Sequence, residues 1–249
     1  MLMLLSESKR YLNYFEKASG LELNRVCEKT PYGDISLAKN DKIIFIENLG
    51  LVPFGIPYLI EKYSVKCLGM VSKVGGINPL LNVGDILVID DYIDNTTCRP
   101  KSYIEKTRSN IKIRYDMTKP FCQNWKKKVL EDLYKSEYYK KVNIFNNGTY
   151  ICTDGPGFES SAEIDFFWNN HADVVGHWIS PFVYYARELN VCFLSIGVVS
   201  NVYYKDSCDM LNSEENNKLF GKLYKTLLDN CQEDCNCQKS HIIEYEEYD

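Results

Sequence analysis

Apolar and polar positions alternate along this chain in two periods, one helical and one extended. Residues 3–18 place apolar side chains at helical spacing (Leu4, Leu5, Tyr11, Leu12, Phe15) and stop at Gly20, which predicts a first helix. Two unbroken apolar runs, Ile43–Ile46 and Lys66–Val71, have the length and composition of buried strands, with a modest helix, Pro53–Tyr63, between them. The turn Asn82-Val83-Gly84 leads into Asp85–Ile93, the clearest strand, and a polar stretch without periodicity follows from 95 to 118. A loop of that length in a compact domain is usually functional or an interface element. Pro120 opens a helix through about residue 138 (Trp125, Val129, Leu130, Leu133), and a strand covers 143–153. Ser160 and Glu163 stand at capping-box spacing before Ile164, Phe167 and Trp168. Then come Asp173–Gly176, a helix Pro181–Leu189, a strand Cys192–Ser200 and a last helix over 213–230 (Leu219, Leu223, Leu227), with no internal repeat.

Strands separated by helices predict an α/β fold: a single domain over residues 1–230, with a central mixed β-sheet flanked by helices and a ligand crevice at the carboxyl ends of the strands. Residues 231–249 read as an acidic C-terminal tail. The 249 residues, 45% hydrophobic and 25% charged, are ordinary for one globular domain.

A formal net charge of −5 gives no electrostatic footprint for nucleic acid. The opening Met1–Leu5 is too short for a signal sequence, and no stretch reaches the roughly 18 to 20 apolar residues that span a bilayer. A soluble, cytoplasmic protein is expected, without membrane partners. Ten cysteines could suggest a disulfide framework, yet Cys67, Cys152 and Cys192 fall inside strand-like apolar runs, as reduced, buried thiols do. Cys231, Cys235, Cys237 and His241 together could offer four zinc ligands. Their spacing matches no common structural module and their surroundings are acidic, so no metal is expected there.

The candidate chemistry lies in the loop Gly155–Glu163 and the strand end Ser200-Asn201. An acid and an amide at strand ends suit the edge of a purine; the plainer alternatives are a first-turn helix acid for Glu159 and a turn residue for Asn201. In chain order, Val74–Pro79 with Val83–Ile86, Asp91–Pro100, Met117–Cys122, Gly155–Ser160, Ala172–Gly176 and Ser200-Asn201 resemble the trimeric purine nucleoside phosphorylases and their methylthioadenosine phosphorylase relatives. The resemblance covers about residues 65–205, with weaker agreement at Thr30–Gly33. Asp91–Pro100 and Met117–Cys122 look specifically like the methylthioadenosine branch.

The resemblance implies a homotrimer that cleaves a purine N-glycosidic bond with phosphate as nucleophile and co-substrate, without metal or organic cofactor. It carries Glu159 and Asn201 over as the catalytic pair on the base, with Phe158 packing on the ring and Val74, Gly75, His177 and Ser200 completing the substrate site. An Asn at 201 accepts from N7–H and donates to O6, which favours 6-oxopurines, whereas the loop blocks favour methylthioadenosine. His177 stands where the family has Met, and its imidazole suits a sugar hydroxyl. For phosphate, only Ser72 and Lys73 match. The family's glycine-rich N-terminal loop is replaced by residues 3–18, Glu47–Gly50 offers no Arg-His pair, and Trp178 replaces a hydroxyl.

Losing most donors to a dianion costs several kcal/mol in order of magnitude. Three hypotheses follow: a phosphorylase with a rebuilt phosphate site, a weak or inactive relative that binds a nucleoside or partners an active homologue, and a nucleoside hydrolase using water. Residues 95–118, with Arg99 and Arg114, are candidates to complete a neighbouring subunit's pocket, as the corresponding loop does in the family.

Overall fold

The computed structural model describes residues 1–49, 54–108, 110–205, 207–208, 213–232, 234–235 and 242–247. The chain opens with a strand, β1 (Leu2–Ser6), not with the helix expected over 3–18. All five of its residues are buried. A short unbroken apolar run is ambiguous between helix and strand, and burial on both faces decides for the strand. Helix α1 (Arg10–Ser19) begins after a turn at Ser6–Lys9 and ends, as expected, on Gly20 at φ 70°.

A hairpin absent from the sequence reading follows, β2 (Asn24–Thr30) and β3 (Gly33–Lys39). Strand β4 (Ile43–Ile46), helix α2 (Gly55–Lys62) and strand β5 (Cys67–Gly76) match expectation, with β5 running past Val71 into the glycine pair. Pro53, the expected start of that helix, and Gly50 lie outside the described residues.

The expected strand Asp85–Ile93 is two strands, β6 (Ile86–Val88) and β7 (Asp91–Asp94). The chain leaves one partner for another between them: Ile89 N donates to Ser195 O at 3.0 Å, and Asp90 N to Gly148 O at 3.1 Å. The polar stretch 95–118 is likewise not one loop. It holds helix α3 (Ile104–Thr107) and strand β8 (Ile111–Tyr115). Helix α4 (Gln123–Lys135) follows, and the expected strand 143–153 divides into β9 (Ile144–Phe145) and β10 (Thr149–Cys152). Helix α5 (Ser161–Asn169) carries the expected capping box in full. Strand β11 (Val174–Gly176), helix α6 (Phe182–Glu188), strand β12 (Cys192–Val202), strand β13 (Ser207–Cys208), helix α7 (Glu214–Asn230) and strand β14 (Ile242–Glu247) complete the chain.

Twelve of these strands form one mixed sheet, ordered β2-β3-β4-β1-β5-β11-β10-β7, with β12 pairing β5, β6 and β13, and β9 on β6. The expected mixed sheet flanked by helices is therefore present in one domain. β1 lies between β4 and β5, parallel to both, and β12 runs parallel to β5 along its length. The segment expected as a solvated tail is drawn in: β14 pairs antiparallel with β8 in a separate two-stranded sheet. The 95–118 segment is held to α6 as well. The buried Glu188 carboxylate accepts from the Ser102 hydroxyl, Tyr103 N (2.8 Å) and Ile104 N (3.3 Å). No helix among the described residues is long and apolar enough to cross a membrane.

Helix α7 packs on α1 and on β5. Its closest approach is at Gly221, where an added Cβ would lie 2.5 Å from the backbone of Tyr14. Backbone cannot swing aside as a side-chain tip can. Gly221→Ala is expected to destabilise the fold by about 1–3 kcal/mol or more through overpacking, read as a lower urea midpoint with an unchanged slope.

Candidate active site

The carboxyl ends of β1, β5, β11 and β12 converge on one cleft, whose walls include Glu7, Lys73, Phe158, Trp178 and Asn201. Of the residues expected in the site, Val74, Gly75, Glu159, His177 and Ser200 also line it. Ser72 does not. It is fully buried, and its hydroxyl has no hydrogen-bond partner among the described residues.

One end of the cleft is set by a β-bulge. β12 and β5 keep register to the pair Val199 and Val74, and the next pair is Asn201 and Gly75, so Ser200 is the extra residue. Its hydroxyl lies 3.2 Å from Val74 O and 2.9 Å from Asn201 Oδ1. With one proton, Ser200 serves one of them at a time. When it serves Val74 O, a turned Asn201 amide donates to Ser200 and presents Oδ1 to the cleft. Gly75 faces this amide, and a Cβ there would touch Asn201 Nδ2 at 3.4 Å while crowding Val175 at 3.1 Å.

Glu159 is fixed by a residue that sequence reasoning missed. Thr153, just past β10, donates through Oγ1 to Glu159 Oε1 at 2.9 Å, and the same oxygen lies 2.9 Å from His177 Nδ1. The carboxylate only accepts, so the single Thr153 proton goes to it and His177 must donate through Nδ1–H. His177 Nε2 is then left as an acceptor, suited to a sugar hydroxyl. Gly155 backs the ring: its φ is 66°, and a Cβ there would lie 3.3 Å from His177. Phe158 is 75% exposed at the cleft.

Arg99, a candidate for a neighbour's pocket, is engaged within its own chain. Its guanidinium donates to the carbonyls of His177, Ser180 (2.6 Å) and Thr153 (3.2 Å) and lies 3.4 Å from the Asp154 carboxylate. It thereby ties the ends of β10 and β11 together beneath His177.

The other end of the cleft differs most from expectation. Residues 6–9 form a turn between β1 and α1 where one continuous helix was expected, and Ser6 Oγ donates to Ser8 O at 2.9 Å there. The turn carries Glu7 into the cleft. Lys73 N donates to Glu7 Oε1 at 3.4 Å, and Tyr11 is a second hydrogen-bond partner. Burial pushes the Glu7 carboxyl up from 4.5 to about 7, against the opposing pull of the Lys73 charge, the Lys73 amide and the Tyr11 hydroxyl. A carboxyl poised near neutrality beside a cation, in a cleft, is a functional candidate. The signal for it was positional: once Leu2–Leu5 is taken as a strand, Glu7 stands at the carboxyl end of a central parallel strand, where α/β sheets bind ligands.

Comparison with known proteins bears on the family and the fold. A family model described as "Phosphorylase superfamily" matches residues 58–230. The chain is 29% identical over 190 residues to the "6-oxopurine nucleoside phosphorylase" of Pyrococcus furiosus, covering 70% of each. It is 31% identical over 189 residues to the "Probable S-methyl-5'-thioinosine phosphorylase" of Thermodesulfovibrio yellowstonii, covering 70% of this chain and 69% of that one. Among solved structures, a methylthioadenosine phosphorylase from an antarctic soil metagenomic library has the same fold, with a TM-score of 0.75 at 21% identity over 92% of this chain and 85% of the other.

Proposed function

This chain belongs to the phosphorylase superfamily, and on that premise we propose that it cleaves the N-glycosidic bond of a purine nucleoside with phosphate as acceptor, 6-oxopurines being preferred. The observation that carries the proposal is the placement of Glu159, Asn201 and His177 on one cleft with Lys73 and Glu7. In this reading Glu159 accepts from purine N1–H while Asn201 takes N7–H through Oδ1 and donates to O6. As the C1′–N9 electron pair moves onto the departing base, N7 takes a proton from solvent, which Asn201 Oδ1 then accepts, and O6 accepts more strongly from Asn201 Nδ2, so the Asn201 contacts act on the transition state more than on the bound substrate. His177 Nε2 accepts from a ribose hydroxyl.

A phosphate oxygen then bonds to C1′ as the base leaves, giving a pentose 1-phosphate. Lys73 supplies positive charge, and Glu7 in its protonated form donates to a phosphate oxygen where the ionised form would repel it. The same reading takes the protein as a cytoplasmic homotrimer that needs no cofactor beyond phosphate, and light scattering of the purified chain tests the assembly.

The position of Glu7 also favours a second reading in which water replaces phosphate. The ionised Glu7 carboxylate would then take the water's proton as its oxygen bonds to C1′, giving free pentose. Turnover of inosine, guanosine and methylthioadenosine with and without phosphate separates the two. Purine release that requires phosphate and yields pentose 1-phosphate is expected. Equal release without phosphate, yielding free pentose, replaces the first reading with the second, and no release under either condition overturns both.

A further inference from the structure

At the end of β5 and β12 opposite the cleft, cysteines from separate parts of the chain meet. Cys67 opens β5 and Cys192 opens β12, and the two are register partners in adjacent parallel strands. Cys122 is the N-cap of α4, and its own amide donates to Phe193 O at 2.8 Å. Cys235, beyond α7, is only 4% exposed, and its Sγ lies 3.6 Å from that of Cys122. The sulfurs of Cys122, Cys192 and Cys235 all lie within 4.8 Å of one another. Cys67 joins them by hydrogen-bonding with Cys192 and with Cys231, the C-cap of α7.

We propose that this cluster is a structural site for Zn²⁺, held by Cys122, Cys192 and Cys235 with Cys67 as the fourth thiolate. A tetrahedral zinc with Zn–S bonds of about 2.3 Å sets its sulfurs roughly 3.8 Å apart, close to the 3.6 Å of the Cys122–Cys235 pair; Cys192 lies within 4.8 Å of both, and Cys67, whose thiol donates to Gln232 O at 3.2 Å, would turn from that carbonyl to complete the set. The surroundings suit thiolates. Trp125 N donates to Cys122 Sγ at 3.4 Å, and Asn124 Nδ2 to Cys235 Sγ at 3.4 Å, so amide donors are aimed at two of the sulfurs. Each thiol releases its proton to solvent as its Zn–S bond forms, and no oxidant is needed. The metal would join the first residues of two central strands to the start of α4 and the segment leaving α7. The absence of metal expected from the sequence considered only ligands between 231 and 241; of those, Cys237 and His241 lie outside the described residues, and Cys235 finds its partners in the core.

The test uses the full chain, purified reduced, supplied with zinc and gel-filtered before metal analysis. Equimolar zinc is expected in the parent chain and in Cys27→Ser, whose cysteine is exposed on β2, with loss of the metal in Cys235→Ser. Cobalt loaded into the parent chain is expected to show the charge-transfer absorption and intense visible bands of tetrahedral thiolate coordination, a readout that stands even where a variant fails to fold. The proposal is overturned if the reduced parent chain retains no zinc, if its cobalt spectrum lacks thiolate bands, or if the reduced-as-purified protein carries Cys122 and Cys235 as a disulfide.

Discussion

Asn201→Ala is expected to lower kcat/KM for inosine by about 10²–10³-fold, the usual loss when one donor or acceptor aimed at developing charge is removed. Asn201 sits beyond the bulge in β12, opposite Gly75, and truncating it leaves the strand pairing untouched. Two contacts to the departing base go with it, one at N7 and one at O6. The loss should appear in kcat more than in KM, because N7 takes up its proton, and O6 becomes a strong acceptor, only as the base receives the electron pair of the breaking bond. Asn201→Asp is the companion measurement. A carboxylate only accepts, so it should lose O6 and gain a 6-amino partner, shifting preference from inosine toward adenosine or methylthioadenosine. Steady-state rates on the three nucleosides check both; an unchanged inosine rate in Asn201→Ala would remove this residue from the reaction.

The second large effect belongs to Glu7. Its carboxyl is held at about 7 in the fold against an ordinary 4.5. Between those values the folded chain keeps a proton that the unfolded chain has released. Stability must therefore fall as pH rises from about 4.5 to 7, by up to about 3 kcal/mol in total, and level off above. Glu7→Gln is expected to remove that fall, leaving the variant more stable than the parent at pH 8 and similar at pH 5, as read from denaturant midpoints across the range.

The same proton governs phosphate. Above pH 7 each further unit leaves about one tenth as much of the neutral, donating form, so KM for phosphate should climb about tenfold per unit in the parent chain and stay flat in the Gln variant. If Glu7→Gln instead abolishes turnover in phosphate-free buffer, the carboxylate is a base acting on water.

The half of the cleft proposed to hold the base was legible because its residues lie in compact, ordered blocks: Gly155–Ser160 and Ser200-Asn201 each carry turn chemistry and a chemical group within a few positions. The phosphate half was not. Leu2–Leu5 fits a helical stripe as well as a strand, and taking 3–18 as helix moved Glu7 from the sheet's carboxyl edge into the body of a helix. Hairpin β2-β3 escaped for a different reason. β2 has only exposed and half-buried residues, so backbone pairing with β3, not burial, makes it a strand, and no apolar period records that. β14 was hidden similarly, since a run of Tyr and Glu reads as solvated until β8 offers it an edge. The cysteine cluster could not be seen at all from spacing, its members being separated by tens of residues and joined only by the register of β5 and β12, the start of α4 and the segment leaving α7.

The extra residue in β12 has a consequence for how this protein can change. Side chains alternate faces along a strand, so a lost or gained residue between Cys192 and Val199 would turn Asn201 away from the cleft and bring Val202 or Ser200, respectively, into its place. Substitution at 201 alters what is recognised while leaving the packing of the preceding eight positions alone. New base preference is therefore open to single point changes and closed to length changes, and the strand's history should be written in replacements, not in insertions or deletions.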